Sequence, residues 1–433
     1  MTNTRGPKIT PQTDSPTANR PVPEAPGAYR VLSMATIGFT LMFAAWMMFG
    51  VLGISIQEEF GLTDVQLALI SSVAILNGSL WRLPAGIITD RVGGRIVMTV
   101  LLVLSSIFSF LVSRADSYSM LLGLAFAVGL AGNSFSVGTP WVAAWFSERR
   151  NGWAMGVFGA GNVGASVTKF IGPVLIAATA GTLYFGGLVE GGWRLVPVIY
   201  SIALMGTAIL LWFTTPAQDK RPGQGRKLSE MLEPLKEGRV WRFSLYYVAV
   251  FGAYVALSSW MPKYYIDMYE VSTSTAALLT ALFIFPASLM RPIGGSLSDR
   301  LGARQTTVFA LIIMLVTSGI LALPLKINIV IFTFLLFMLG VGMGIGKASV
   351  FKYIPDDFPG NVGSVGGLVG MFGGLGGAFL PPLFASVKGI TGLDQATFLV
   401  IFALVAFCLA WLVRAISLMK RTSPDPLWQR FGI

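Results

Sequence analysis

Apolar runs long enough to cross a membrane recur along nearly the whole chain. A transmembrane helix needs about 20 mostly apolar residues. The 433 residues are 54% hydrophobic and only 12% charged, whereas soluble domains carry about 25% charged residues. The pattern predicts an all-α integral membrane protein with twelve transmembrane helices, at about 31–53, 65–89, 96–113, 118–141, 153–180, 193–214, 243–268, 274–297, 306–323, 328–350, 364–388 and 396–419.

The longest polar segment between these runs, 215–242, lies between the sixth and seventh helices and divides the chain into halves. The first residues are rich in Pro, Ser and Thr, so they cannot bury a core, and they lack the apolar stretch of a cleaved signal peptide. We therefore expect a disordered N-terminal tail over 1–28, a six-helix bundle over 29–214, a cytoplasmic linker over 215–242, a second six-helix bundle over 243–420 and a cytoplasmic tail over 421–433.

The net charge of +11 would suit a nucleic-acid partner, but its distribution indicates membrane topology instead. With the N-terminus inside, the cytoplasmic loops and tails hold 22 of the 31 Lys and Arg residues, and the opposite loops hold five. Cytoplasmic loops of membrane proteins carry such an excess. We expect a multi-pass protein of the cell inner (cytoplasmic) membrane, with both termini cytoplasmic and no nucleic-acid partner.

The two halves repeat each other in sequence. The segment "WRLPAGIITDRVGGR" (81–95) corresponds to "MRPIGGSLSDRLGAR" (290–304), and "GVFGAGNVGA" (156–165) corresponds to "GMFGGLGGAF" (370–379). Each pair occupies the same helix, the second and the fifth, of its half. Internal repeats of this kind are common in transporters, so we expect two pseudo-symmetric six-helix bundles.

Arg82 and Arg291 occupy equivalent positions in this repeat, eight residues before Asp90 and Asp299. Eight residues rise about 12 Å along a helix, which places both guanidinium groups near the middle of the membrane. A charge at that depth costs at least about 2.5–3.5 kcal/mol and marks a functional site. Every Asp and Glu of the chain falls toward a helix end or in a loop or tail, so a bound anion is the expected counter-charge. Guanidinium forks two N–H groups at once, which suits a planar oxyanion and leaves nitrate, formate, bicarbonate and a small dicarboxylate open.

Two loop segments resemble the motif G-x-x-x-D-R-x-G-R-[R/K] of the major facilitator superfamily. The first contains Gly86, Asp90 and Arg91, the second contains Gly295, Asp299 and Arg300, and in each an extra small residue interrupts the basic end. The resemblance implies the major facilitator fold and a gate latch, in which Asp and Arg pair with each other or with helix ends. The other interpretation is that the arginines are simple topology anchors.

The Gly-rich segments 156–173 and 367–382 resemble the two nitrate signatures of the nitrate/nitrite porter family. The resemblance implies a secondary transporter of nitrate, nitrite or both. It also implies a pocket lined by Gly159, Gly161, Gly373 and Gly374 and by an aromatic pair, Tyr247 and Phe251. Asn162 is a further candidate, because its amide can donate to a nitrate oxygen without adding charge. Ordinary interior packing is the alternative for the aromatic and glycine residues.

Lys169 and Lys347 are the remaining cations inside predicted helices. Lys169 can snorkel toward the membrane surface, and Lys347 aligns with Thr139 of the first half. Either lysine could carry a proton. Import of nitrate with protons is therefore the leading hypothesis, and exchange of nitrate for nitrite is the alternative.

Two other functional classes have weak support. The chain has no histidine and a single cysteine, Cys408, in an apolar run, so we predict no catalytic site, no metal site and no cofactor. A nitrate receptor that does not transport is less favoured. We expect a monomer whose partners are nitrate, nitrite, protons and the lipid bilayer.

Overall fold

A computed structural model describes residues 24–422 of the chain. Within them, twelve helices are long and apolar enough to cross a membrane, as the sequence predicted. They are α1 (Ala28–Phe60), α2 (Val65–Val92), α3 (Gly94–Val112), α4 (Tyr118–Trp145), α5 (Glu148–Thr179), α6 (Gly192–Thr214), α7 (Gly238–Tyr269), α8 (Thr275–Leu301), α9 (Ala303–Ala322), α10 (Ile329–Asp357), α11 (Val362–Thr391) and α12 (Ala396–Leu418).

Several helices are longer than their apolar runs. Helix α1 continues to Phe60 through a polar last turn, and α7 begins at Gly238, inside the predicted linker. The apolar run marks the part of a helix that crosses the hydrocarbon, whereas the helix continues into the polar region beyond it. The expected tails at 1–28 and 421–433 overlap the described residues only at their inner ends.

Helices α1–α6 form one half of the bundle and α7–α12 form the other. The halves meet through α2 against α11 and α5 against α8, where glycines allow close backbone approach. A methyl group on Gly86 would collide with the carbonyl of Gly363, and one on Gly295 would collide with the carbonyl of Gly152. The end of the bundle where α1 begins and α12 ends is called the terminus end below.

Helices α2 and α8 each break at the same place in the repeat. In α2 the break falls at Trp81, directly before Arg82, and in α8 it falls at Met290, directly before Arg291. Pro84 lies just after the first break, and Pro286 and Pro292 flank the second. Proline removes a helical hydrogen bond and clashes with the preceding turn. Each break lies directly before a buried arginine.

The segment between α6 and α7 is anchored at the terminus end. The Asp219 carboxylate accepts hydrogen bonds from the indole N–H groups of Trp141 and Trp145, at 2.9 and 3.0 Å. A short helix, Leu228–Leu232, follows. At the opposite end, the α5–α6 connection carries a small antiparallel hairpin of β1 (Leu183–Tyr184) and β2 (Val189–Glu190).

Candidate functional site

Arg82 and Arg291 lie in the interior between the two halves. Their exposed fractions are 0% and 1%, and the two guanidinium groups are near enough to repel each other. Among the described residues, neither takes part in a salt bridge with a carboxylate. Two buried positive charges without a counter-charge from the protein are costly, so their partners decide what the site can bind.

Arg82 is held by two backbone carbonyl groups. Its Nε donates to the oxygen of Gly78 at 2.8 Å, within α2. Its Nη1 donates to the oxygen of Gly370 at 2.8 Å, across the boundary in α11. The guanidinium also lies about 5.5 Å from the ring centres of Trp46 and Phe251. Two of the five N–H groups of Arg82 are thus hydrogen-bonded to the protein.

Arg291 is bonded differently. Its Nε and Nη1 are buried and have no hydrogen-bond partner among the described residues. The guanidinium carbon lies 5.1 Å from the ring centre of Phe135, a cation–π contact that gives no directional hydrogen bond. Two unsatisfied N–H donors on a buried cation leave Arg291 able to bind an acceptor on either edge of the guanidinium.

Lys347 explains part of the difference in hydrogen bonding between Arg82 and Arg291. Gly78 in α2 corresponds to Ala287 in α8, four residues before each arginine. The Gly78 carbonyl accepts from Arg82, whereas the Ala287 carbonyl accepts from the Nζ of Lys347 at 2.9 Å. Lys347 is fully buried, and its Nζ lies 3.1 Å from the ring centre of Tyr254. The lysine occupies the carbonyl that the repeat would otherwise offer to Arg291.

Aromatic rings surround both arginines. Tyr247 and Phe251, the pair expected from the sequence, stack with centroids 5.1 Å apart. Phe135 of α4 lies nearly parallel to both, at 6.2 and 6.4 Å. Phe135 was not predicted, because an isolated aromatic residue in an apolar helix carries no distinguishing pattern. Flat apolar faces beside planar donors favour a flat, weakly hydrated anion.

The four glycines named from the sequence pack closely in the interior, and three of them lie next to the buried arginines or the aromatic pair. A methyl group on Gly159 would collide with the guanidinium of Arg291, and one on Gly374 would lie 3.4 Å from the Nη1 of Arg82. One on Gly373 would collide with the Tyr247 ring. Gly161 instead faces α1, where a methyl group would lie 2.6 Å from the Phe39 ring. Gly161 thus serves helix packing rather than the arginine pair.

Two further polar groups in this region are buried without partners. The amide oxygen and nitrogen of Asn162 both lack a hydrogen-bond partner among the described residues, as does the Tyr247 hydroxyl. Both residues have an exposed fraction of 0%. Asn162 lies three residues after Gly159, on the same side of the helix. Unpaired buried polar groups cost free energy, and both side chains can still form hydrogen bonds.

Lys169 crosses between the halves instead of pointing away from the bundle. Its Nζ donates to the carbonyl oxygen of Ser258 in α7 at 3.3 Å. The neighbouring Phe170 stacks on Phe285 of α8, with centroids 5.9 Å apart. The lysine therefore lies beside the boundary on the side of the site away from the terminus end.

The two motif carboxylates join the halves at the terminus end. Asp90 accepts from the backbone N–H of Gly363, at the start of α11, at 2.9 Å. Asp299 accepts from the N–H groups of Gly152 and Trp153 in α5, at 2.9 and 2.7 Å. Positive helix N-termini favour such carboxylates. In this structure the halves are thus latched at the terminus end.

Basic side chains complete this latch. The Nζ of Lys352 lies 3.2 Å from Asp299 and donates to the carbonyl of Glu148 at 2.6 Å. From the sequence, this lysine was counted only among the positive charges of the cytoplasmic loops. Arg91 donates to the carbonyl of Arg226 in the linker at 2.6 Å. Arg300 does not bond its neighbour Asp299; instead it lines a cavity of about 370 Å³ together with Arg149, Arg150, Trp153, Ser296 and Asp299.

The site's chemistry suits binding more than catalysis. Among the described residues no group of three or more His, Cys, Asp or Glu side chains could hold a metal ion. The groups brought together are two guanidiniums, a tyrosine and aromatic faces, with Lys347 beside them, and the amide of Asn162 lies three residues after Gly159. This set can hold an anion by charge and directional hydrogen bonds.

Comparison with known proteins agrees with the repeat and the fold. Residues 34–381 match the Major Facilitator Superfamily. The chain is 58% identical to the "Probable nitrate/nitrite antiporter NarK1" of Thermus thermophilus, over 90% of this chain and 92% of that protein. It is 30% identical to the "Probable nitrate transporter NarT" of Staphylococcus epidermidis, over 90% and 96%, and to the "Nitrite extrusion protein" of Bacillus subtilis, over 83% and 88%.

Solved structures share the architecture at low sequence identity. The transporter FucP in its outward conformation superposes with a TM-score of 0.70 at 18% identity, over 89% of this chain and 99% of that one. The human organic anion transporter MFSD10 gives 0.73 at 16% identity, over 90% and 100%. Together, the twelve-helix fold, its internal repeat and these relatives show that this multi-pass membrane protein belongs to the nitrate/nitrite porter family of the major facilitator superfamily.

Proposed function

We propose that this protein transports nitrate and nitrite by alternating access, with the anion bound between Arg82 and Arg291. The single observation that carries the proposal is the pair of unpartnered N–H groups on the buried Arg291 guanidinium. These two donors lie on different edges of the guanidinium, so an oxyanion on either edge would accept from one of them, and it would supply the counter-charge that the described carboxylates do not. Nitrate is planar and singly charged, which matches the planar donors and the flat rings around them. The names of three relatives point to the same substrates.

The contacts that join the halves at the terminus end correspond to one state of the transport cycle. With both termini in the cytoplasm, as the distribution of Lys and Arg favours, this structure is closed on the cytoplasmic side. The complementary state would require Asp90 and Asp299 to release the N-termini of α11 and α5. We place the protein in the cell inner membrane as a monomer in which the two halves rock around the site.

Coupling to protons is the preferred mode. Lys347 contacts Tyr254 and the Ala287 carbonyl beside Arg291, with no described carboxylate to pair with it. A nitrate bound between the arginines adds a negative charge nearby and favours the charged form of the amine, which links anion binding to proton binding. Lys169 is the second candidate carrier, farther from the terminus end.

Exchange of nitrate for nitrite is the second candidate mode. The 58% identical Thermus relative is named an antiporter, and exchange requires no titrating group in the protein. In that mechanism, the halves reorient only when an anion neutralises the two arginines. Another planar anion, such as formate, is the alternative substrate. A receptor that binds the anion without transporting it is less favoured.

Uptake into proteoliposomes tests the proposal and separates the modes. Labelled nitrate is supplied outside, while the pH gradient and the internal nitrite concentration are varied independently. We expect counterflow of labelled nitrate against internal nitrate, inhibited by nitrite and little by chloride or sulfate. Accumulation driven by the pH gradient alone supports symport, and a strict need for internal nitrite supports exchange. Equal inhibition by chloride would contradict the proposed site.

A further inference from the structure

We propose that Lys347 is a positioning residue, which keeps Arg291 free for the substrate by occupying the carbonyl group of Ala287. The inference rests on the proposed function, because it assumes that a nitrate-type oxyanion binds at Arg291. It concerns a hydrogen bond of the lysine rather than its charge. It is therefore separate from the role of Lys347 in proton coupling.

The internal repeat supplies the comparison that supports this role. In α2 the break at Trp81 exposes the carbonyl of Gly78, and the Nε of Arg82 folds back onto it at 2.8 Å. In α8 the break at Met290 exposes the equivalent carbonyl of Ala287. The same side chain follows the same break, so the repeat makes the Ala287 carbonyl the acceptor expected for the Nε of Arg291.

In α8 the equivalent acceptor, the carbonyl of Ala287, already accepts a hydrogen bond from another residue. Lys347 reaches from α10 and donates to Ala287 at 2.9 Å, and the Nε of Arg291 is left buried without a partner. The equivalent residue of the first half, Thr139, instead donates to the carbonyl of Phe135 in its own helix, at 2.8 Å. In that half no lysine competes with the arginine, and the arginine takes the carbonyl.

Lys347 is itself held firmly in place. Its Nζ lies 3.1 Å from the ring centre of Tyr254 and 5.8 Å from that of Phe251. The Tyr254 hydroxyl in turn lies 3.2 Å from the Ser288 Oγ, in the turn that follows Ala287. A cation on an aromatic face is stabilised without a carboxylate. A carboxylate here would neutralise Arg291 and compete with the anion.

The two arginines therefore have different roles in the site. Arg82 is bonded to both halves and serves as a fixed wall of the site, whereas Arg291 keeps its Nε and Nη1 donors unused. A free donor does not have to break a bond with the protein before it binds the anion, so less of the binding free energy is lost. Loss of the Lys347 hydrogen bond should let Arg291 fold back onto Ala287, as Arg82 does onto Gly78.

Two substitutions separate the hydrogen bond from the charge. Lys347→Gln removes the ammonium but keeps an N–H donor that can reach toward Ala287. Lys347→Met is similar in length and has no donor. Lys347→Thr reproduces the residue of the first half and also cannot reach. Since each change removes a positive charge that repels Arg291, we expect all three to fold, which thermal melting of the purified protein checks.

Nitrate binding to the purified full-length protein, measured by calorimetry, gives the decisive comparison. We expect Lys347→Met and Lys347→Thr to bind nitrate about tenfold or more weakly than Lys347→Gln, which keeps the donor and loses only the contribution of the charge. In nitrate exchange, the Met variant should raise KM with little change in kcat.

Equal affinity of Lys347→Met and wild type would overturn the inference. So would equal loss in the Met and Gln variants, since charge and not the hydrogen bond would then matter. If the wild-type protein itself binds no nitrate, the proposed function fails, and this outcome is distinct from either result for the variants.

Discussion

The Nη1 of Arg82 in α2 donates to the carbonyl oxygen of Gly370 in α11 at 2.8 Å, and so joins the two halves at the level of the site. The Nε and Nη1 of Arg291 are not hydrogen-bonded to any described residue. Two arginines that the repeat makes equivalent in sequence are therefore unequal in bonding. An anion that binds both would complete the bonding of Arg291 and would connect the halves a second time.

Replacement of Gly159 by alanine should weaken nitrate binding and leave the fold intact. The new methyl group would collide with the Arg291 guanidinium, the flexible end of a long side chain, so the guanidinium rather than the backbone should move. A displacement of about 1 Å at a positioning group can cost up to about 100-fold in rate. Nitrate exchange in proteoliposomes measures the loss. Gly123→Ala is the matched control, because a methyl group there meets no atom within 4 Å.

Asn162→Asp should abolish nitrate transport, whereas Asn162→Ala should only reduce it. The amide of Asn162 is buried without a partner, one turn after the glycine that faces Arg291. A carboxylate there would provide an internal counter-charge for the arginines and compete with the substrate. Counterflow of labelled nitrate by the two variants checks this. If the Asp variant transports as well as the Ala variant, Asn162 lies outside the electrostatic reach of the site.

Lys347→Gln should uncouple transport from protons. We expect no accumulation of nitrate when a pH gradient is the only driving force, while nitrate–nitrate exchange survives because the arginines are intact. Lys169→Gln should have the milder effect, since its amine bonds the Ser258 carbonyl away from the arginine pair. Accumulation by the Lys347 variant under a pH gradient alone would show that another group carries the proton.

Asp299→Asn should favour opening of the terminus end. The Asp299 carboxylate accepts from two backbone N–H groups of α5 and lies 3.2 Å from Lys352. Neutralising it weakens charge-assisted bonds worth about 1.5–3 kcal/mol, which corresponds to a shift of about tenfold or more between the two states. Spin labels on Arg149→Cys and Leu301→Cys, in a Cys408→Ser background, report the distance between the halves. Asp116→Asn, on an exposed loop at the opposite end, is the control. An unchanged distance distribution would exclude Asp299 as part of the latch.

The twelve helices and the position of the arginine pair were predictable because hydrophobic length and repeated motifs depend on residue type. The fold-back of Arg82 onto Gly78 was not, because a backbone carbonyl is present at every residue and becomes available only where a helix breaks. The sequence offers the arginines no carboxylate partner, whereas the structure supplies Arg82 with two carbonyl groups.

The contacts of the two buried lysines were likewise not predictable from the sequence. Lys169 was expected to be able to snorkel outward, but the structure directs its amine across the boundary to Ser258. Lys347 was recognised as an unusual buried cation, yet its contacts with Tyr254 and Ala287 join three helices that are distant in sequence. Contacts between helices depend on packing, which the periodicity of a single helix does not determine.

The paired-arginine site is tested most directly by nitrate self-exchange in proteoliposomes with Arg82→Lys and Arg291→Lys. Lysine keeps the positive charge but cannot form the planar, two-pronged contact. We expect each substitution to lower exchange about tenfold or more, because at least one charge-assisted hydrogen bond to the anion is lost. Arg30→Lys, at an exposed position near the start of α1, should exchange like wild type. Wild-type exchange by both Lys variants would contradict the proposal that a guanidinium pair binds the anion.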